Sequence, residues 1–127
     1  MEQVYDGRKY KVYSKVKIPK GYGELDEKSY LYFIQVDGQV YHKVGETCNI
    51  IQRMRRHCKS YNATEITILW ISPALSIYTA KRIEKKIIKE WQQREGWEYK
   101  RNDRFIIPND VTEITIPIRK NYNFSIR

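Results

Sequence analysis

The chain contains few cysteines, and their arrangement excludes several classes of protein. Cys48 and Cys58 are the two cysteines among 127 residues, and neither belongs to a CxxC pair. Two cysteines are too few for a disulfide-rich scaffold, and with His42 and His57 their spacing matches no common zinc finger. Reduced thiols in an intracellular protein are therefore expected.

Long apolar runs are also missing. No stretch of about eighteen apolar residues occurs, so the sequence predicts no membrane-spanning helix. The polar N-terminus lacks the apolar region of a secretion signal. We expect a cytoplasmic protein without a membrane partner, and the sequence does not indicate an oligomeric state.

Negative charge is scarce relative to positive charge. Fifteen Asp and Glu residues face 24 Lys and Arg residues, which gives a formal net charge of +9. This excess favours a polyanionic partner, nucleic acid first, although a basic surface can also serve solubility alone. The cations cluster at 8–20, 53–59, 81–89 and 100–104.

The most informative stretch is residues 30–57. Two runs rich in β-branched and aromatic residues surround Asp37-Gly38, which favours a β-hairpin with a tight turn. Alternation places Tyr41 and Lys43 on one face of the second strand. Gly45 ends that strand, where the backbone needs a positive φ or a close approach.

A capped helix is predicted directly after the hairpin. Asn49 and Gln52 form a capping-box pattern. Arg53 and His57 lie four residues apart and share a helix face, with Arg56 on the same side as Arg53. The expected buried stripe consists of Ile50, Met54 and Cys58.

The remainder of the chain alternates strands with one long helix. Residues 64–71 predict a strand with both faces apolar. A helix is expected from Ser76 to Arg94, and strands at 8–18, 102–107 and 112–118. The expected buried side of the long helix comprises Ile77, Ala80, Ile83, Ile87, Ile88 and Trp91.

These elements predict one domain over residues 1–127. Its class is α/β in the α+β sense, a small domain with a central, mostly antiparallel sheet flanked by helices. We assign a core to residues 29–107, an N-terminal strand and loop to 1–28, and a C-terminal strand and basic-aromatic tail to 108–127.

The hairpin and helix resemble the GIY-YIG nuclease superfamily over residues 29–107. The two motifs read Tyr30-Leu31-Tyr32 and Lys43-Val44-Gly45. Arg53 stands eight residues after the second motif's glycine, where the superfamily keeps a phosphate-binding arginine, and His57 stands where many members have a histidine. Glu84 matches the carboxylate that binds the superfamily's metal ion.

Two positions depart from that pattern. Tyr30 replaces the first motif's glycine, and Lys43 replaces the second motif's tyrosine. The lysine resembles a phage-borne branch whose second motif reads Lys-Ile-Gly. It leaves the identity of the general base open.

The resemblance implies an endonuclease that requires Mg²⁺ or Mn²⁺ and cuts nucleic acid, with DNA favoured over RNA. It assigns Tyr32 to positioning or deprotonating water and places Lys43 opposite Tyr32 as a phosphate cation or general base. Arg53 would hold phosphate oxygens, His57 would relay a proton, and Glu84 would bind the metal ion. Further nucleic-acid contacts are expected from Arg56, Lys59, Lys81 and Lys85.

Other interpretations remain open from the sequence. Each candidate has an ordinary structural role available, such as an i,i+4 partner of lysines for Glu84. Glu90 competes with Glu84 as the metal ligand. The whole domain can also be a catalytically weakened nucleic-acid-binding or regulatory module, or an accessory protein that binds another protein.

Overall fold

The computed structural model describes residues 10–13, 26–36, 41–63, 65–101, 103–118 and 121–126. The elements in chain order are β1 Tyr10–Tyr13, β2 Lys28–Val36, β3 His42–Thr47, α1 Ile50–Ser60, β4 Glu65–Ile71, β5 Leu75–Ser76, α2 Ile77–Gln92, β6 Glu98–Lys100, β7 Arg104–Ile106, β8 Glu113–Pro117 and β9 Asn121–Ser125.

The strands form one main sheet and one separate hairpin. The main sheet has the order β1-β4-β2-β3-β7-β6, with β5 paired to the start of β2. Within the described residues, β8 and β9 form a separate two-stranded sheet. Every pairing is antiparallel. The antiparallel sheet and two helices of this small mixed α/β domain confirm the predicted fold class.

The two faces of the sheet are covered by different elements. On β2, Tyr32 points to α1, where its hydroxyl meets His57. The next residue, Phe33, points to the other face and packs 5.5 Å from Trp91 of α2 and 5.0 Å from Phe124 of β9, measured between ring centroids. Because side chains alternate along a strand, β2 is buried on both sides and anchors the core.

The long helix is shorter than predicted. It spans Ile77–Gln92, and the Ser76 hydroxyl caps it by accepting from the Thr79 N–H at 3.1 Å. Ile77, expected in the core, is 39% exposed because the first turn precedes the buried stripe that begins at Ala80. Ile88 is only half-buried.

The C-terminal third also differs from expectation. The strand predicted at 102–107 is Arg104–Ile106, and the unpredicted strand β6 pairs with it. The expected basic-aromatic tail contains β9, whose Tyr122 and Phe124 pack against Trp70. Of the strand expected at 8–18, only 10–13 is described, and the Asp37-Gly38 turn lies outside the described residues.

Candidate functional site

The hairpin register sets the relation between Tyr32 and Lys43. Tyr32 pairs with Gly45, and Lys43 pairs with Ile34. The expectation that Lys43 lies directly opposite Tyr32 is therefore wrong. Lys43 lies opposite Ile34, which is two residues farther along β2. The two side chains still share a face, because Ile34 is two residues from Tyr32, and they are diagonal neighbours.

Gly45 creates the space that the Tyr32 ring occupies. A Cβ atom added to Gly45 would lie 2.9 Å from Cε1 of Tyr32 and closer still to Cζ and Oη. The φ of Gly45 is not positive. Of the two reasons that the sequence offered for this glycine, the close approach is therefore the one that applies.

We predict that Gly45→Ala destabilises the protein by about 1–3 kcal/mol, because the new methyl group displaces the Tyr32 ring. Urea unfolding measures the change. In a Tyr32→Leu background the same substitution should cost less, since the overlapping hydroxyl and ring are gone. Equal losses in both backgrounds would contradict this packing.

Tyr32 and His57 form a buried hydrogen-bonded pair. The distance from Tyr32 Oη to His57 Nε2 is 2.7 Å, and the two residues are 1% and 7% exposed. Burial raises the pKa of Tyr32 well above its usual range and lowers the pKa of His57 to about 3. Both groups are therefore neutral near pH 7, and the shared proton belongs to the tyrosine hydroxyl or to Nε2 according to the imidazole tautomer.

Three positive charges act on His57 from the surrounding elements. Lys43 from β3 and then Arg53 and Arg56 from α1 add to burial in lowering the pKa of His57. Lys43 is itself only 7% exposed, and burial lowers the pKa of its ammonium group. The site thus concentrates positive charge beside a neutral proton acceptor, which suits an anionic ligand.

Arg53 lies at the junction of the hairpin and α1. Its backbone N–H donates to Asn49 at 3.1 Å, in the first turn that Asn49 caps. Its Nη1 donates to the Glu46 carbonyl at 3.5 Å, and its charge and a side-chain hydrogen bond counteract the rise in the pKa of Tyr32. The half-buried guanidinium therefore reaches the Tyr32 hydroxyl across the end of β3.

Glu84 brings a carboxylate from α2 to this group. It is half-buried, and burial raises its pKa to about 7, with the negative charges of Glu46 and Asp103 acting in the same direction. Lys43 and a backbone hydrogen bond at Glu46 lower it. Glu90, the competing candidate, is exposed and pairs with Arg94 at 3.6 Å.

The donor set around Glu84 fits a cation that keeps most of its water. Among the described residues, no group of three or more His, Cys, Asp or Glu could hold a metal ion. A carboxylate whose charge is disfavoured by burial and by other acids gains from a nearby cation. Mg²⁺ is commonly bound through one or two carboxylates with several waters, so Glu84 fits it.

An aromatic and cationic layer, which the sequence did not reveal, borders the site. The Arg104 guanidinium lies 4.7 Å from the ring centroid of Tyr41 and 5.0 Å from that of Tyr61. Tyr61 stacks on His57 at 5.4 Å, and Arg104 is the cross-strand partner of Lys43. The pairing of β3 with β7 creates this layer, and no local sequence signal shows that pairing.

The structure thus brings together Tyr32, Lys43, Arg53, His57 and Glu84. Four further residues were predicted to contact nucleic acid. The exposed surfaces of the two helices carry them, with Arg56 and Lys59 on α1 and Lys81 and Lys85 on α2.

No helix within the described ranges is long and apolar enough to cross a membrane.

Comparison with known families corrects the assignment drawn from the motifs. A family model described as the T5orf172 domain matches residues 29–116, well over half of the chain. This is a distinct family, so the assignment to the GIY-YIG superfamily is wrong, although a GIY-YIG-like fold stays compatible with the match.

No curated protein and no solved structure matches the chain. The matched family is one of nuclease-like, DNA-binding domains, which is compatible with a nucleic-acid-related function. The chain belongs to the T5orf172 domain family.

Proposed function

We propose that this protein is a divalent-metal-dependent endonuclease that hydrolyses phosphodiester bonds in nucleic acid, with DNA the favoured substrate. The observation that carries the proposal is the buried Tyr32–His57 hydrogen bond next to Lys43, Arg53 and Glu84. A purely structural hairpin does not require a neutral imidazole, two cations and a carboxylate of raised pKa at one place.

The cations are suited to holding a phosphate. Arg53 offers a planar fork of N–H donors that matches two phosphoryl oxygens, and Lys43 adds a compact charge. Their positions are fixed by different elements, the first turn of α1 and the start of β3. Charge that develops on the phosphoryl oxygens during attack is therefore met by donors that are already in place.

The Tyr32–His57 pair provides a route for a proton. In the tautomer that carries its proton on Nδ1, water that attacks phosphorus gives its proton to Tyr32 Oη while the hydroxyl proton moves to His57 Nε2, which leaves an imidazolium. The bond from phosphorus to the leaving oxygen breaks, and that oxygen takes a proton from solvent. In the unliganded protein burial and the nearby cations hold the pKa of His57 low. A bound phosphate offsets the charges of Lys43 and Arg53, so the relay is favoured when substrate is present.

A Mg²⁺ or Mn²⁺ ion at Glu84 would supply Lewis acidity toward the phosphate and its leaving oxygen. Glu84 would bind the ion, and its neighbours Glu46 and Asp103 would add negative potential. Before the ion arrives, the charge of Lys43 and a backbone hydrogen bond at Glu46 favour the ionised carboxylate of Glu84.

We predict that Glu84→Gln stabilises the unliganded protein at about pH 8 and leaves its stability unchanged near pH 3.5. The folded-state pKa lies above the ordinary value of 4.5, at about 7. The contribution of protonated Glu84 to the free energy of unfolding is fully present below pH 4.5, and it is lost as the pH rises through 7. With allowance for partial exposure, the gain at pH 8 is about 1–2 kcal/mol.

Adding Mg²⁺ extends the same measurement. Because the ion binds the folded protein, wild type should melt at a higher temperature with Mg²⁺, and the Glu84→Gln protein should not. Glu90→Gln is the matched control on the same helix and should respond as wild type does. A Mg²⁺ shift of equal size in Glu84→Gln would remove Glu84 as the ligand.

Cleavage itself is tested with plasmid, single-stranded DNA and RNA, each with Mg²⁺ or with chelator. We expect cleavage with Mg²⁺, none with chelator, and loss of cleavage in Glu84→Gln but not in Glu90→Gln. Binding without cleavage of any of the three would instead favour the second candidate.

That second candidate is a nucleic-acid-binding or regulatory module on the same fold. The low pKa of His57 favours it, because such an imidazole is a weak base until an anion binds. Both candidates predict affinity that falls steeply with added salt, since phosphate contacts release counterions. Affinity that stays constant between low and moderately high salt would contradict both.

A further inference from the structure

The outward face of α2 carries an exposed aromatic ring among cations. Tyr78 is 77% exposed, the largest exposure among the large hydrophobic side chains of the described residues. It shares a shallow surface depression with Lys81, Arg82 and Lys85. A single exposed tyrosine needs no explanation, but an exposed ring beside three cations is a specific combination.

The spacing places these residues on one side of the helix. Positions 78, 81, 82 and 85 follow the i, i+3, i+4, i+7 pattern that shares a helix face. Lys89 continues the row, so Lys81, Lys85 and Lys89 are separated by about 6 Å along the axis. All three lysines are exposed, and the row can follow a line of phosphates.

This basic face borders the candidate site. Lys81 and Glu84 are three residues apart and are therefore neighbours on the surface of α2. Glu84 turns inward to Glu46 and Lys43, while Lys81 is exposed. A strand whose cleaved phosphate lies beside Glu84 can continue past Lys81 toward Tyr78, with Lys85 on the same face.

We propose that Tyr78 is a stacking platform for an unpaired base, and that the preferred substrate is nucleic acid with a single-stranded segment beside the cleaved bond. This inference rests on the proposed function for the position of the cut. The binding of the unpaired base does not depend on that function. Bases inside a duplex already stack on each other and present only their edges. An exposed ring on a convex helix surface can therefore stack only on a base that has left the duplex.

The row of cations favours a strand of nucleic acid over an acidic protein as the occupant. A line of positive charges with a constant spacing matches the regular repeat of a phosphate backbone. The ring adds a contact that every base can make, so this surface recognises strandedness and not sequence.

The test measures binding in the presence of chelator, which prevents cleavage. Labelled oligo-dT and a labelled, fully paired DNA duplex with the same number of phosphates are titrated with each protein. Tyr78→Ala should weaken binding of oligo-dT by about 5- to 150-fold, which corresponds to one stacked base. Binding of the duplex should change by less than about twofold.

Two matched variants separate stacking from loss of surface. Tyr78→Phe keeps the ring and should bind oligo-dT as wild type does. Ile77→Ala removes exposed apolar surface from the same turn and should leave oligo-dT binding unchanged, since Ile77 is 39% exposed but has no aromatic face. Equal weakening of both nucleic acids by Tyr78→Ala, or no weakening, overturns the proposal.

The cations are tested through the salt dependence. For single strands, a plot of the logarithm of the association constant against the logarithm of the salt concentration has a negative slope. Each lost phosphate contact makes that slope shallower by about 0.7. Lys81→Gln with Lys85→Gln should therefore reduce the slope by about 1.4. Arg94→Gln is the control, because Arg94 is already held by Glu90 and lies 4.8 Å from the Trp97 ring centroid.

The outcomes distinguish this inference from the nuclease proposal. Loss of oligo-dT binding in Tyr78→Ala without any cleavage by wild type would retain the platform and refute the nuclease. If wild type cleaves DNA and Tyr78→Ala does not affect oligo-dT binding, the nuclease proposal is retained and the platform is refuted. Absence of DNA binding by wild type overturns the platform and leaves an acidic protein as the partner of this face.

Discussion

Arg53→Ala is expected to lower kcat/KM for DNA cleavage by at least about 100-fold, the usual effect of losing one transition-state charge contact. The guanidinium is positioned by the capped first turn of α1 and by its bond to the Glu46 carbonyl, next to Tyr32. Single-turnover cleavage of a labelled duplex that carries a single-stranded segment, with and without Mg²⁺, measures the loss.

Two variants show whether the loss is specific. Arg53→Lys retains the charge but not the planar fork, so its activity should be intermediate. Arg55→Ala removes an exposed arginine from the same helix and should cleave within a fewfold of wild type. If Arg53→Ala has wild-type activity and an unchanged melting temperature, the site lies elsewhere.

Local signals predicted the first helix and its cap. The Asn49 side chain accepts from the Gln52 N–H at 3.0 Å, and Ile50, Met54 and Cys58 are buried as the period of the sequence indicated. Both signals act within a few residues, so the sequence contains all that is needed to recognise them.

Pairing between distant strands was not predictable in the same way. The registers of the whole sheet determine three features that the sequence did not show. These are the pairing of Lys43 with Ile34, the strand β6, and the contact of Arg104 with Tyr41 and Tyr61. A basic and aromatic composition described the C-terminal tail correctly but did not show its structure. Tyr122 and Phe124 pack on the sheet because β8 and β9 pair.

The family assignment failed for a related reason. Short motifs such as Tyr30-Leu31-Tyr32 and Lys43-Val44-Gly45 describe local geometry that more than one family can share, whereas the family match extends over residues 29–116. Lys43 is the position at which one substitution tests both the charge of the site and its proton route.

Lys43→Met is expected to reduce cleavage by about 100-fold or more and to raise the pKa of His57 in the unliganded protein. After burial, the charge of Lys43 is the largest influence that keeps the pKa of His57 low. Methionine is similar in length and uncharged, so it removes that influence without opening a cavity. The imidazole pKa, read by NMR titration, reports this change independently of activity.

Lys43→Arg decides between the two roles of the amine. Burial lowers the pKa of Lys43. A neutral amine that acted as the general base would make the rate rise with pH and would make Lys43→Arg inactive. We expect the opposite, because Tyr32 and His57 already provide a proton route.

As a phosphate cation, Lys43 should lose function as the pH rises through its lowered pKa. Lys43→Arg should then retain substantial activity and lose that decline, because arginine does not titrate there. A Lys43→Met protein that cuts at the wild-type rate would exclude both roles.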